Sequence, residues 1–263
     1  MQTAVKNKWA LILGASSGFG EAIALSLSKI GMNIIGVHLD RKGTLPHVEE
    51  VVGQIKSNGV QAKFFNMNAS DSEKRHEAIH EISGFAKEGV HCLVHSLAFG
   101  SLKPFIAMDP KDRISKEQMD MTLDVMANSL VYWTQDLVDH NLLSEGGRIF
   151  AMTSMGSHRV WSTYGAVSAA KAALESHCRQ LTLELAPKKI TVNAILAGVT
   201  DTPALRKIPG HERMIEIASK SNPHGRLTTP QDVAEAISLL VQPGASWITG
   251  NVLQVDGGEE ITG

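Results

Sequence analysis

The sequence predicts a single α/β domain with a doubly wound parallel sheet. Two observations lead there: short apolar runs alternate with longer helical stretches almost from end to end, and most of the runs are apolar on both faces. Strands of that kind suit a parallel sheet covered by helices on both sides. Alternation on this rhythm implies right-handed crossovers. Residues 1–263 contain no Pro/Ser-rich linker, internal repeat or low-complexity tract, so one domain is expected to span them.

Taken in order, Trp9 to Leu13, Asn33 to His38, Ala62 to Asn66, His91 to His95, Arg148 to Thr153, Ile190 to Ile195 and Asn251 to Val255 read as strands. Helical stretches lie near Gly18–Ile30, Leu45–Ser57, Asp71–Lys87, Lys116–His140, Tyr164–Ala186 and Gln231–Val241. Pro187 stops the fifth of these, because proline cannot continue the hydrogen-bond ladder. The first strand runs into Gly14-Ala15-Ser16-Ser17-Gly18-Phe19-Gly20 and then a helix. Glycines there permit a tight turn and close approach of backbone N–H groups to a pyrophosphate, and the helix N-terminus adds partial positive charge. The spacing is GxxxGxG rather than GxGxxG, but its place after the first strand of an alternating chain marks a Rossmann-type dinucleotide site.

Two connections are too long to be mere turns, residues 97–115 after the fourth strand and 197–229 after the sixth. Both leave the carboxyl ends of strands, where open α/β sheets bind ligands. The first is expected to be a substrate loop. The second is expected to be a lid, since Leu205, Ile208, Met214, Ile215 and Ile217 have helical spacing while Pro203, Pro209 and Gly210 interrupt it.

Composition narrows the function. Hydrophobic residues are 43% and charged residues 20%, enough apolar side chain for a large core and too little charge for disorder. The formal charge of −2 lacks the basic footprint of a nucleic-acid binder, so no nucleic-acid partner is expected. Cys92 and Cys178 form no CxxC pair and read as buried, reduced thiols of a cytoplasmic protein. The polar start from Met1 to Lys8 is no signal peptide, and no run of about 18 apolar residues provides a membrane span. His76-Glu77-Ala78-Ile79-His80 matches HExxH literally, but its setting of Asp71, Glu73, Lys74, Arg75 and Glu81 reads as a solvated helix face; no metal is expected. Met119, Met121, Met126 and Trp133 read as helix packing.

The glycine loop, Asn68-Ala69 after the third strand, Ser96-Leu97-Ala98 after the fourth, Ala197-Gly198 with Thr202 after the sixth, and Val255-Asp256-Gly257-Gly258 near the end together resemble the short-chain dehydrogenase/reductase family over essentially the whole chain. The resemblance implies cofactor contacts from Gly14, Ser16, Ser17, Gly18, Phe19 and Gly20. It puts Asn68 and Ala69 at the adenine, Ser96, Leu97 and Ala98 by the ribose, and Gly198, Val199 and Thr202 at the nicotinamide amide and phosphates.

The catalytic signature departs from the family's commonest form, which is Tyr-x3-Lys with a serine thirteen residues before the tyrosine. Counting back from Lys171, that tyrosine position holds Val167, and Ser154 stands at the serine position. Asp124 falls near the position of the family's helix asparagine. Tyr164 stands seven residues before Lys171, about 700° of helical rotation and about 10.5 Å of rise, so a helix would carry both on one face. Tyr-x6-Lys, with His95-Ser96-Leu97-Ala98-Phe99 and the segment from Ser154 to Arg159, resembles the divergent branch of enoyl-acyl carrier protein reductases, most of all the NADPH-dependent bacillus type. That resemblance implies reduction of a trans-2-enoyl thioester, with hydride delivered to the β-carbon, Tyr164 stabilising charge on the thioester oxygen and Lys171 holding the nicotinamide ribose. Phe99, Met155, Tyr164 and Leu205 would line the substrate, which is expected on acyl carrier protein, and a homotetramer is implied. A ketoreductase or hydroxysteroid-type dehydrogenase and a non-catalytic cofactor sensor remain alternatives.

The cofactor residues point both ways. Asp40 lies twenty residues after Gly20, about where an acidic group meets a ribose 2′-hydroxyl and selects NAD. His38 and Arg41 could instead meet a 2′-phosphate, Arg41 in bidentate fashion. NADPH is the expectation, with NADH the alternative, on the condition that Asp40 turns away or pairs with Arg41.

Overall fold

A computed structural model describes residues 4–262. Seven strands form one parallel sheet in the order β3-β2-β1-β4-β5-β6-β7. They are β1 (Trp9–Leu13), β2 (Asn33–His38), β3 (Ala62–Asn66), β4 (Val90–His95), β5 (Leu143–Thr153), β6 (Thr191–Ala197) and β7 (Val252–Val255). The helices are α1 (Gly18–Lys29), α2 (Leu45–Ser57), α3 (Ser72–Phe85), α4 (Lys116–Leu123), α5 (Ser129–Asp139), α6 (Gly165–Leu185), α7 (His211–Ser221), α8 (Pro230–Leu240) and a short α9 (Glu259–Thr262). The doubly wound α/β architecture expected from the alternation is the one observed.

β1 explains why apolar runs work here. Trp9, Leu11 and Leu13 enter one core with Ile79, Ile82, Leu130, Trp133, Leu174 and Leu181 from α3, α5 and α6. Ala10 and Ile12, on the other face, enter a second core with Ile23, Leu27, Val51, Ile55, Val233 and Ile237 from α1, α2 and α8. Removing both faces from water is the main favourable contribution, roughly 25 cal/mol per Å² of apolar surface. Strand order reverses between β1 and β4, so the crevice for a ligand opens beyond their carboxyl ends at Leu13 and His95.

Three elements differ from expectation. β5 begins at Leu143, which pairs with Val90 ahead of an irregular Gly146-Gly147 segment tied by the buried Arg148 guanidinium to both glycine carbonyls. The helix expected over Lys116–His140 is broken into α4 and α5 by a π-helical turn at Asp124–Asn128. Tyr164 is not inside α6 but at its N-cap, where its carbonyl accepts from Ser168 N at 2.8 Å; Thr163 before it has φ of 63°, which turns the chain out of the helical path.

Candidate active site

The carboxyl ends of β4, β5 and β6 converge on one cavity of about 520 Å³. That size suits a small-molecule site, and the lining is mostly apolar with a few polar groups. Of the residues singled out from sequence, Phe19, Ser96, Leu97, Ala98, Phe99, Ser154, Met155, Tyr164, Lys171, Gly198, Val199, Thr202 and Leu205 all line it.

The glycine loop borders this cavity. Gly14 has φ of 89°, and a methyl group there would come within 2.5 Å of the Ser96 carbonyl oxygen. A methyl on Gly20 would collide with the Gly14 carbonyl, so the turn closes only without a side chain there. Gly18 faces Thr202, with 3.6 Å between its notional Cβ and the threonine methyl. Of this loop only Phe19 lines the cavity; Gly14, Ser16, Ser17, Gly18 and Gly20 make a glycine floor beside it, at the turn from β1 into α1. His38, Arg41, Asn68 and Ala69 lie outside the cavity, beyond the ends of β2 and β3. Ala69 is buried, its carbonyl held by Trp133 Nε1 at 2.8 Å, and Asn68 Oδ1 accepts from Ser70 N at 3.1 Å.

The β2 end bears on the choice of nucleotide. Asp40 does not pair with Arg41, which is exposed; its Oδ2 lies 2.9 Å from His38 Nδ1. Burial pushes the Asp40 carboxyl up, but hydrogen bonding from Ser16, Thr44 and His38 outweighs it and leaves the group below its ordinary value. The Asp40 carboxylate is thus ionised and held by His38 at the end of β2.

The catalytic candidates are held by the end of β5 and the start of α6. Lys171 is buried and donates from Nζ to the Met152 carbonyl at 2.7 Å, while Thr153 Oγ1 donates to Glu175 at 2.6 Å. Two successive strand residues are thereby stitched to one face of α6, which fixes Ser154 opposite Lys171. Burial lowers the Lys171 ammonium to about 8, with Glu175 acting in the opposite direction. Burial raises the Tyr164 phenol, opposed by the neighbouring Ser154 hydroxyl, so at neutral pH Tyr164 keeps its proton. Ser154 Oγ is itself buried without a well-formed hydrogen bond. A phenol donor, a mostly protonated lysine and a hydroxyl without a well-formed hydrogen bond therefore share one cavity. Val167, at the Lys-minus-four position, also lines it and offers only methyl groups.

Behind Lys171 sits a neutral histidine. Burial takes His95 down to about 3. Its Nε2 lies 2.8 Å from Ser129 Oγ, whose own proton goes to the Val125 carbonyl, so Nε2 carries the proton and Nδ1 is a bare acceptor. The π-helical turn brings Met126 into the cavity, whereas Asp124 lies outside it. The expected lid contributes Leu205, Ile208, Met214, Ile217, Ala218 and Ser221, all but Leu205 and Ile208 from α7. From the expected substrate loop, Phe105 packs over Gly165 at the start of α6.

A family model described as "Enoyl-(Acyl carrier protein) reductase" matches residues 14–260. The chain belongs to this family of short-chain dehydrogenase/reductases. Among curated relatives it is 29% identical to a 1-cyclohexenylcarbonyl-CoA reductase of Streptomyces collinus, covering 99% of this chain and 89% of the relative. It is also 29% identical to a 3-oxoacyl-[acyl-carrier-protein] reductase of Pseudomonas aeruginosa, covering 97% and 98%. The crystal structure of an enoyl-[acyl-carrier-protein] reductase (NADH) from Aquifex aeolicus superposes with a TM-score of 0.85 at 27% identity, covering 98% of each chain. As a short-chain dehydrogenase/reductase, the protein is an oxidoreductase whose fold implies a nicotinamide dinucleotide. The glycine floor and the open crevice fit that group.

Sequence reasoning missed several cavity residues. Trp161, Val160 and Gly156 lie in a polar, aperiodic segment. Glu259 also lines the cavity, and no pattern around Val255-Asp256-Gly257-Gly258 singles it out. The literal HExxH is a surface feature: Glu77 pairs with Lys74, and His76 lies 3.6 Å from Asp136. Among the described residues no group of three or more His, Cys, Asp or Glu is disposed to hold a metal, and no helix is long and apolar enough to cross a membrane.

Proposed function

We propose that the protein reduces the C=C bond of α,β-unsaturated acyl thioesters. The observation that carries this is the position of the phenol: Tyr164 lines the cavity one helical turn before the Lys-minus-four site, and that site holds buried, apolar Val167. A donor displaced in this way suits an acceptor oxygen removed by two atoms from the carbon that receives hydride, as in an enoyl thioester.

A nicotinamide, when bound, would supply hydride for the β-carbon and be left oxidised, and the α-carbon of the resulting enolate would take its proton from solvent. Tyr164 donates its hydrogen bond to the thioester oxygen, where negative charge develops. The Lys171 ammonium, anchored on the Met152 carbonyl, favours that charge and can hold ribose hydroxyls with its remaining protons. Ser154 Oγ neighbours the phenol and is free to hydrogen-bond substrate. The apolar faces of α7 and of Leu97, Phe99 and Leu102 exclude water and accept an acyl chain. The carrier would be acyl carrier protein or coenzyme A, the two named among its relatives.

The nucleotide we favour is NADH, in place of the NADPH expected from Arg41. The ionised Asp40 beside Ser16 would repel a 2′-phosphate and accept from a 2′-hydroxyl. The Aquifex aeolicus enzyme carries NADH in its name.

The second reading, ketoreduction, draws on the similarity to the Pseudomonas aeruginosa relative. Nicotinamide oxidation followed with crotonyl and with acetoacetyl thioester separates the two. Faster turnover of crotonyl thioester supports the proposal, and turnover of acetoacetyl thioester alone refutes it.

A further inference from the structure

The C-terminal turn carries an acidic residue into the cavity. Glu259 is only 4% exposed, lines the same cavity as Tyr164 and Lys171, and its carboxylate oxygens lie 3.1 and 3.3 Å from the Val199 backbone nitrogen. A methyl group placed on Gly198 would come within 2.8 Å of Glu259 Oε2, so the carboxylate lies directly on the chain leaving β6. A carboxylate has about four acceptor sites. Among the described residues the Val199 N–H is its only hydrogen-bond donor. The turn is fastened from several sides. Glu260 N is capped by Asp256 Oδ2 at 2.9 Å, Asn222 Nδ2 donates to the Asp256 carbonyl at 2.8 Å, Arg159 donates to the Glu260 carbonyl at 2.8 Å, and His158 pairs with the Glu260 carboxylate.

A dinucleotide running over the glycine loop must bring its redox ring between that loop and Tyr164. The walls there are Phe19, Gly198, Val199, Thr202 and Glu259. The oxidised ring carries a full positive charge and the reduced ring none. A negative group fixed at that wall favours the charged form, in a medium where Coulombic effects exceed those in water.

We propose that Glu259 is a positioning residue that matches charge with the nicotinamide ring, so that the pocket holds the oxidised cofactor more tightly than it would with a neutral side chain there. This rests on the dinucleotide site described above. Lys171, in the same cavity, acts with the opposite sign, and Glu259 offsets it where the ring becomes cationic. Burial raises the Glu259 carboxyl; Asp256 and Glu260 add to that, and Arg159 from the loop after β5 works against it. Thr228 from the segment before α8 and His224 near Gly257 complete the surroundings. Glu259 is charged above its raised pKa, so the contribution is full at higher pH and is lost as pH falls through that value.

The test measures binding rather than turnover. Calorimetric titration with oxidised and reduced dinucleotide on wild type and Glu259→Gln should show affinity for the oxidised form falling about tenfold and for the reduced form changing less than about twofold. Gln keeps an oxygen for Val199 N, so the backbone contact survives. Glu259→Asp should retain part of the effect. The affinity for the oxidised form relative to the reduced one should fall with falling pH in wild type, and fall less in Glu259→Gln, where Lys171 still titrates but the carboxyl is gone. Equal weakening of both forms in Glu259→Gln, or the same pH dependence in wild type and Glu259→Gln, overturns the proposal while leaving the dinucleotide site standing. Wild type that binds neither form overturns the site itself, and the proposal with it.

Discussion

Replacing Tyr164 with Phe removes one oxygen from the centre of the proposed chemistry and little else. The ring stays packed against the core beneath α6. The hydroxyl's neighbour, Ser154 Oγ, has no well-formed hydrogen bond to lose. The stability cost should therefore stay within the range of one modest hydrogen bond, about 1 kcal/mol or less. The kinetic cost should be much larger, because the phenol would act where charge develops. Loss of such a donor costs about 10²- to 10³-fold in kcat, roughly 2.7–4 kcal/mol. KM should change little, since the interaction strengthens in the transition state. The assay is steady-state oxidation of reduced cofactor with crotonyl thioester, alongside a thermal unfolding midpoint to show that the variant is folded. Adding Val167→Tyr to this variant should not rescue it. Val167 is 5% exposed and its Cγ2 already stands 2.9 Å from the notional Cβ of Gly100, so a phenol there overpacks the site at about 1–3 kcal/mol. A folded Tyr164→Phe protein with near wild-type kcat would refute the assignment.

Burial brings the Lys171 ammonium down to about 8. It is charged below that value and neutral above it, so kcat/KM, which reports the free enzyme, should fall on the alkaline side of about pH 8. Lys171→Met should abolish that limb, and an unchanged alkaline limb in the variant would assign it to another group. Asp40→Ala should improve NADPH relative to NADH by about tenfold, roughly 1.4 kcal/mol, and a ratio that does not move would leave nucleotide choice with Arg41. Residues 203–221, whose apolar side chains meet the cavity, should gain hydrogen-exchange protection with cofactor plus a substrate analogue; equal protection in both states would make the segment part of the rigid core.

The fold was legible because burial on both faces writes itself into strands. β1, β2, β4 and β6 are buried throughout and stand out as apolar runs, whereas the edge strands β3 and β7 are only partly buried and are read from their place in the alternation. What stayed hidden depends on contacts distant in sequence. The first half of β5 lacks an apolar run, and its extended path depends on pairing with Val90 and on the buried Arg148. The π-helical turn at Asp124–Asn128 leaves the apolar period of its flanks nearly intact, so the pattern reads straight through it. α7 was obscured because Pro203, Pro209 and Gly210 signal interruption more loudly than the apolar stripe signals a helix. In the candidate site, Tyr164, Lys171 and the glycine loop follow from local spacing. The direction of Asp40 is decided by hydroxyls and an imidazole on three different segments. Glu259 reaches Val199 across a sequence separation of 60. No local pattern contains either.

Conjugate reduction is tested most directly by the fate of the hydride. A single turnover with reduced cofactor deuterated at the transferable position, crotonyl thioester as acceptor, and NMR of the product locates the label. The account predicts a saturated butyryl thioester with deuterium on the β-carbon. Recovery of unreacted crotonyl thioester, together with conversion of acetoacetyl thioester to a labelled 3-hydroxybutyryl product, would contradict it.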